Sequence, residues 1–116
     1  VASNIVWTAW RLLQRTTSGL MDGSLPQEQY ALVLTILDRY RAQGIDYHAL
    51  RTRESGARRF ISLHVLVPGE WSIDRAHQLA ENIERDIRQT LPHTSVFTHL
   101  EPLDDPASQD DINLDR

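Results

Sequence analysis

The chain has 116 residues, 41% of them hydrophobic, with no cysteine and a formal net charge of −4. That is enough for one domain with a modest core, and it excludes a disulfide framework and a thiolate metal site. The twelve basic residues are all arginine, and their one concentration (Arg51, Arg53, Arg58, Arg59) surrounds a predicted hairpin, while five aspartates crowd residues 102–116; this argues against nucleic acid as a partner, which needs a clustered basic surface.

The first segment, Val1 to Leu13, is mostly apolar, carries Trp7 and Trp10, and is followed by Arg15. Thirteen helical residues reach only about 20 Å, short of a hydrocarbon core of about 30 Å. The segment lacks the basic start and small-residue cleavage site of a signal peptide. Tryptophan followed by arginine suits the last turns of a membrane helix. An amphipathic helix packed on the domain fits these residues equally well.

Gly23 reads as the end of that helix. Ser24 reads as the cap of the next, with Gln27 in capping-box position and Pro26 in the first turn. Val33, Ile36, Leu37 and Tyr40 then recur at helical spacing, and the helix is expected to stop at Gly44. Two strands follow, 45–53 and 58–67, linked by Glu54-Ser55-Gly56-Ala57 as a hairpin. Pro68-Gly69 breaks the chain. Ser72 caps a further helix, with Asp74 in its first turn. Its stripe is Ile73, Ala76, Ala80, Ile83 and Ile87, and it ends near Leu91-Pro92. A last strand covers 94–101. The Asp- and Ser-rich stretch 103–116 is expected to be disordered.

The order is one helix, then α-β-β-α-β. A hairpin plus a right-handed β-α-β crossover gives an α+β domain: a three-stranded sheet with two helices on one face. The other face is left open, and a second copy is the commonest way to cover it.

Strand alternation places chemistry on that open face. Ile61, Leu63, Val65 and Val67 form the apolar side of the second strand, so His64 points the other way. Val96, Thr98 and Leu100 face the core, which leaves His99 and Glu101 on the open side. His48 belongs to the first strand, although plain alternation puts Leu50 and Thr52 on its side. Singly, each strand histidine reads as solvated or hydrogen-bonded surface. Together, His48, His64, His99 and Glu101 suggest a divalent-metal site of nitrogen and oxygen ligands, with His77 as a fifth candidate and room for a histidine from a second chain. His93 reads as loop surface. There is no His-Glu-x-x-His, phosphate-binding loop or nucleophile elbow, so no enzyme is expected.

The run His48-Ala49-Leu50-Arg51-Thr52-Arg53-Glu54-Ser55-Gly56, then Arg59-Phe60-Ile61-Ser62-Leu63-His64, Ala76-His77 and Thr98-His99-Leu100-Glu101-Pro102 closely resembles the cytoplasmic C-terminal domain of the cation diffusion facilitator family. The resemblance covers residues 1–102. It implies a ferredoxin-like, metallochaperone-like fold that forms a homodimer at the cytoplasmic face of the bacterial inner membrane. It implies metal bound at or near the dimer interface, with zinc usual and Fe2+, Co2+, Cd2+ or Mn2+ also suited to such ligands. The family's ligand positions fall on His48, His64, His77 and His99, with Glu101 at the bridging carboxylate. Glutamate's extra methylene makes a single-metal site more secure here than a two-metal bridge. Residues 1–22 resemble the end of the last membrane helix and its linker, with Asp22 at a linker aspartate that pairs with another membrane helix. Residues 23–102 form the dimerisation and metal-binding domain. The family's transmembrane domain, its partner and the seat of transport, is not in this chain.

Overall fold

The computed structural model describes residues 1–20, 23–108 and 110. Helix α1 spans Ala2–Leu20, α2 spans Gln27–Arg41, β1 Asp46–Ser55, β2 Arg58–Val67, α3 Ile73–Thr90 and β3 Thr94–Pro102. The expected order and the single three-stranded sheet are both present. The strands lie in the order β1-β2-β3, with β1 antiparallel and β3 parallel to the central β2.

β2 sorts the whole molecule into two sides. Its odd residues Ile61, Leu63, Val65 and Val67 are buried together with Val33, Ile36, Leu37 and Tyr40 of α2 and Ala76, Leu79, Ile83 and Ile87 of α3. Both helices therefore cover one face, as a half-apolar sheet requires. Leu79 completes the α3 stripe, whereas Ile73, expected on it, is exposed in the first turn. The Ser72 cap is formed: its hydroxyl accepts from the Arg75 N–H at 3.2 Å. Gly44, at the end of the turn after α2, takes φ +80, a conformation glycine adopts without steric cost.

The start of α2 differs from expectation. Ser24 does not cap it. Pro26 occupies the cap position with no side-chain hydrogen bond, and the helix begins at Gln27. A residue before proline is driven away from helical geometry. Leu25 is that residue, and it is buried in the core while its N–H donates to Thr52 Oγ1 at 3.3 Å. The Glu54 N–H donates to the Gly23 carbonyl at 2.7 Å. Residues 23–25 are thus a strap along β1.

In α1, Ile5, Val6, Trp7, Trp10, Leu12 and Leu13 are all more than half exposed. No helix among the described residues is long and apolar enough to cross a membrane. Asp22 lies outside the described residues. Of the acidic stretch, residues 103–108 continue the fold for one turn: the Leu103 N–H donates to the Val67 carbonyl at 2.9 Å, and the buried Ser108 donates its hydroxyl to the Pro102 carbonyl at 3.0 Å. Most of the stretch beyond them lies outside the described residues.

One hydrogen bond ties the two covering helices: Tyr40 Oη donates to Asp86 Oδ2 at 2.6 Å. Burial first, then this bond and the Asp86 charge, push the Tyr40 phenol from 10.0 up to about 12. The folded state therefore holds the neutral phenol more tightly than the unfolded chain does. Its contribution is complete below about pH 10 and is lost as pH climbs toward 12. Tyr40→Phe should cost about 1–2 kcal/mol at neutral pH and flatten the alkaline limb of the stability curve; urea titrations at pH 7, 10 and 11 check both.

Candidate metal centre

Sheet register builds the site. His48 lies opposite His64 on one side, and His99 lies opposite His64 on the other. One histidine from each strand therefore forms a row across the sheet. The ring centroids of His48 and His64 are 5.1 Å apart and those of His64 and His99 are 5.0 Å apart, close to the ordinary spacing of about 4.8 Å between strands.

The place of His48 in this row depends on an irregularity. Between His48 and Arg51 the register shifts, so that Ala49 and Leu50 together oppose Leu63. Ala49 takes φ 50, a left-handed conformation rare for a residue with a Cβ. This is a β-bulge, in which one extra residue leaves the pairing. Before it, Tyr47 faces the core and His48 faces away. After it, Leu50 packs against the core, and the partners of Arg51 and Thr52 are Ser62 and Ile61. The bulge is why His48 and the core-facing Leu50 and Thr52, though all even-numbered, sit on opposite faces. Sequence reasoning missed it, although the signal was present: apolar residues at the wrong parity after a polar one.

Glu101 gathers the histidines. Its Oε2 lies 2.9 Å from His48 Nε2, and its Oε1 lies 2.9 Å from His64 Nδ1 and 3.6 Å from His99 Nε2. The Glu101 and His48 side chains are only 12% and 10% exposed, so the two are largely shielded at the centre of the histidine face. His99 is mostly exposed at the margin. His48 Nδ1 is buried with no hydrogen-bond partner among the described residues.

His48, His64 and Glu101 each offer a ligand atom within 4.8 Å of the others. In tetrahedral zinc coordination, ligand atoms at about 2.1 Å from the ion stand about 3.4 Å apart. Glu101 meets the two imidazoles at 2.9 Å through its two different oxygens, and an ion held there would replace these contacts with bonds from carboxylate and imidazoles to itself. The donor set is borderline to hard, suited to zinc and its first-row neighbours. Three protein ligands leave a fourth position for His99, water or a second chain.

His77 is not brought to this cluster within one chain. It sits on α3, which covers the opposite face, and its Nε2 lies 4.0 Å from Glu81 Oε1 on an exposed surface. Only a second copy would carry it to the site. His93, in its loop, is likewise outside it. Asp46 shares the histidine face but is already committed. Burial alone would push its carboxyl up; the Tyr47 N–H at 2.9 Å and the Arg41 guanidinium at 2.8 Å outweigh that and hold it below its usual value.

Comparison with known proteins agrees with this architecture. Residues 25–103 match the family described as the cytoplasmic domain of cation efflux proteins, ZT_dimer. The chain is 46% identical over 108 residues to the uncharacterised transporter sll1263 of Synechocystis sp., covering 93% of this chain and 35% of that protein. It is 32% identical over 100 residues to the cation-efflux pump FieF of Pectobacterium atrosepticum, covering 85% and 33%. It spans about a third of the length of these curated relatives. The structure of the zinc form of CzrB superposes with a TM-score of 0.63 at 32% identity, over 72% of this chain and 94% of that one. The metal-bound C-terminal domain of CzcD from Thermotoga maritima shares the fold, with a TM-score of 0.63 at 24% identity over 71% and 99%.

His64→Ala should weaken zinc binding on the order of 100-fold, since even outer-shell partners are worth 10–100-fold, with little loss of stability because the ring is part-exposed. His93→Ala should leave affinity unchanged. Zinc affinity should also fall as the medium is acidified, because a protonated imidazole has no lone pair to give. Calorimetric zinc titration of the parent and the two variants at several pH values checks the affinities, and urea unfolding of His64→Ala checks its stability.

Proposed function

The chain belongs to the family of cytoplasmic domains of cation efflux proteins, and on that premise we propose that it is the regulatory and dimerisation domain of a divalent-cation exporter. The observation that carries this reading is the part-buried His48–Glu101–His64 cluster on the sheet face that neither α2 nor α3 covers. The proposed ion is zinc, which nitrogen and oxygen donors suit along with Fe2+, Co2+ and Mn2+, and one ion is held by His48, His64 and Glu101. His99 stands beside them, and His77 joins only from a second copy. A bound ion supplies a cross-link between strands and, through its open coordination position, between copies.

Residues 1–22 are read as the end of a membrane helix and its linker. Exposed Trp7 and Trp10 followed by Arg11 and Arg15 support that reading, since aromatic and basic residues mark the membrane–water boundary. Residues 23–102 form the working domain at the cytoplasmic face of the bacterial inner membrane, and 103–116 an acidic tail. The partners are a second copy, divalent cations and the exporter's own transmembrane domain. The domain's chemistry is ligation, not catalysis. Metal that binds the closed dimer better than an open one shifts the pair toward closure by that difference in affinity, and so links cation level to transport.

A second reading, association without metal, is favoured by Phe97, which is 64% exposed on the histidine face. An aromatic there supports contact with a second copy whatever the metal does. Light scattering of the chain in chelator and then in zinc separates the two. The expected result is a particle of twice the 13.3 kDa chain mass whose stability or compactness rises with zinc and not in His64→Ala. A dimer indifferent to zinc, with no heat of binding, would establish the second reading instead.

A further inference from the structure

Strand β1 carries two attachments on either side of one irregular residue. On the N-terminal side, His48 meets Glu101 at 2.9 Å. On the C-terminal side, Thr52 accepts from the Leu25 N–H and the Glu54 N–H donates to Gly23, so the strap 23–25 hangs on this half of the strand. Leu25 itself is a core residue. Between the attachments lies Ala49 at φ 50.

A bulge bends its strand and sharpens the local twist. Its geometry decides how the half bearing His48 is aimed relative to the half bearing the strap. The left-handed conformation is disfavoured for alanine, so the bulge is held by what surrounds it and not by its own preference. An ion that draws His48 toward Glu101 and His64 acts directly on one flank of that disfavoured residue. The other flank leads through Leu50 to Thr52 and Glu54. Residues 51–55 are paired with 58–62 without a break, so the strap hangs on a continuous hairpin end whose aim relative to His48 is set at Ala49.

We infer that the Ala49 bulge is the positioning element that couples metal occupancy at His48 to the grip of β1 on the linker strap Gly23–Leu25. The inference rests on the metal-binding reading above and names how that site is read out. In the register, deleting Ala49 removes only the extra residue. His48 still opposes His64, Arg51 still opposes Ser62, and Leu50 then faces Leu63 alone. The deletion keeps the ligands on their face and removes the coupling element.

The test is amide hydrogen exchange of the 116-residue chain with and without zinc, alongside calorimetric titration of the same samples. The reporters are the Leu25 and Glu54 amides. The Arg75 amide, bonded to Ser72 at the start of α3, controls for general stabilisation. Zinc should slow the two reporters at least about fivefold more than the control, the lower end of ordinary coupling between sites. Deletion of Ala49 should leave zinc binding in place and abolish the selective slowing. Ala49→Gly, which makes the left-handed geometry acceptable whether or not metal is bound, should reduce it and serves if the deletion variant does not fold. Zinc binding to the parent chain without selective slowing would overturn the coupling, as would slowing that persists in both variants. No zinc binding to the parent chain would overturn the metal reading and the coupling with it, and the calorimetry reports that failure separately.

Discussion

The pairing of β2 with both of its neighbours is the constraint from which the rest follows. A central strand has no free edge, so its two faces are defined by period-two alternation alone. One face is aliphatic from Ile61 to Val67 and collects both helices. The other presents His64, and register then places His48 and His99 directly beside it. A slip of one residue on either side would turn a histidine into the core and an aliphatic residue out of it. The hydrophobic burial that stabilises the sheet therefore also aligns the histidine row, whose geometry is inherited from core packing.

Glu101 completes what the row begins. A buried carboxylate is costly unless it is paired, and here two imidazoles pair with it. The same arrangement that satisfies the carboxylate holds nitrogen and oxygen donors at nearly the spacing a tetrahedral ion requires. The cluster thus gathers three candidate donors within 4.8 Å of one another. Asp46, on the same face, is engaged through Oδ1 with Arg41 and the Tyr47 N–H.

The strap 23–25 lies along β1. It is fastened by one backbone and one side-chain hydrogen bond to the same strand that carries His48, and Leu25 anchors it in the core. Helix α1, by contrast, leaves its apolar side chains uncovered. Residues 23–25 are thus held firmly to β1, while the apolar side chains of α1 find no cover among the described residues.

Much of this was legible in the residues alone, wherever the signal is local. The span 58–67 of β2, the Ser72 cap, most of the α3 stripe and the outward direction of His64, His99 and Glu101 all follow from periodicities of two and 3.6 and from a cap within four residues. What was not legible depends on residues distant in the chain. Ser24 looked like a cap until the burial of Leu25 against β1, reinforced by Pro26, drew the segment into a strap. Plain alternation put Leu50 on the face of His48; only pairing with β2, whose Leu63 must stay in the core, forces the extra residue Ala49 out of register. The sequence by itself determined the elements and the faces of β2 and β3, because side-chain direction within a strand is a local property. The tertiary structure alone decided the bulge, the burial of His48 and Glu101 and the exclusion of His77 from the single-chain site, because these depend on which strands pair, in what register and which face the helices cover.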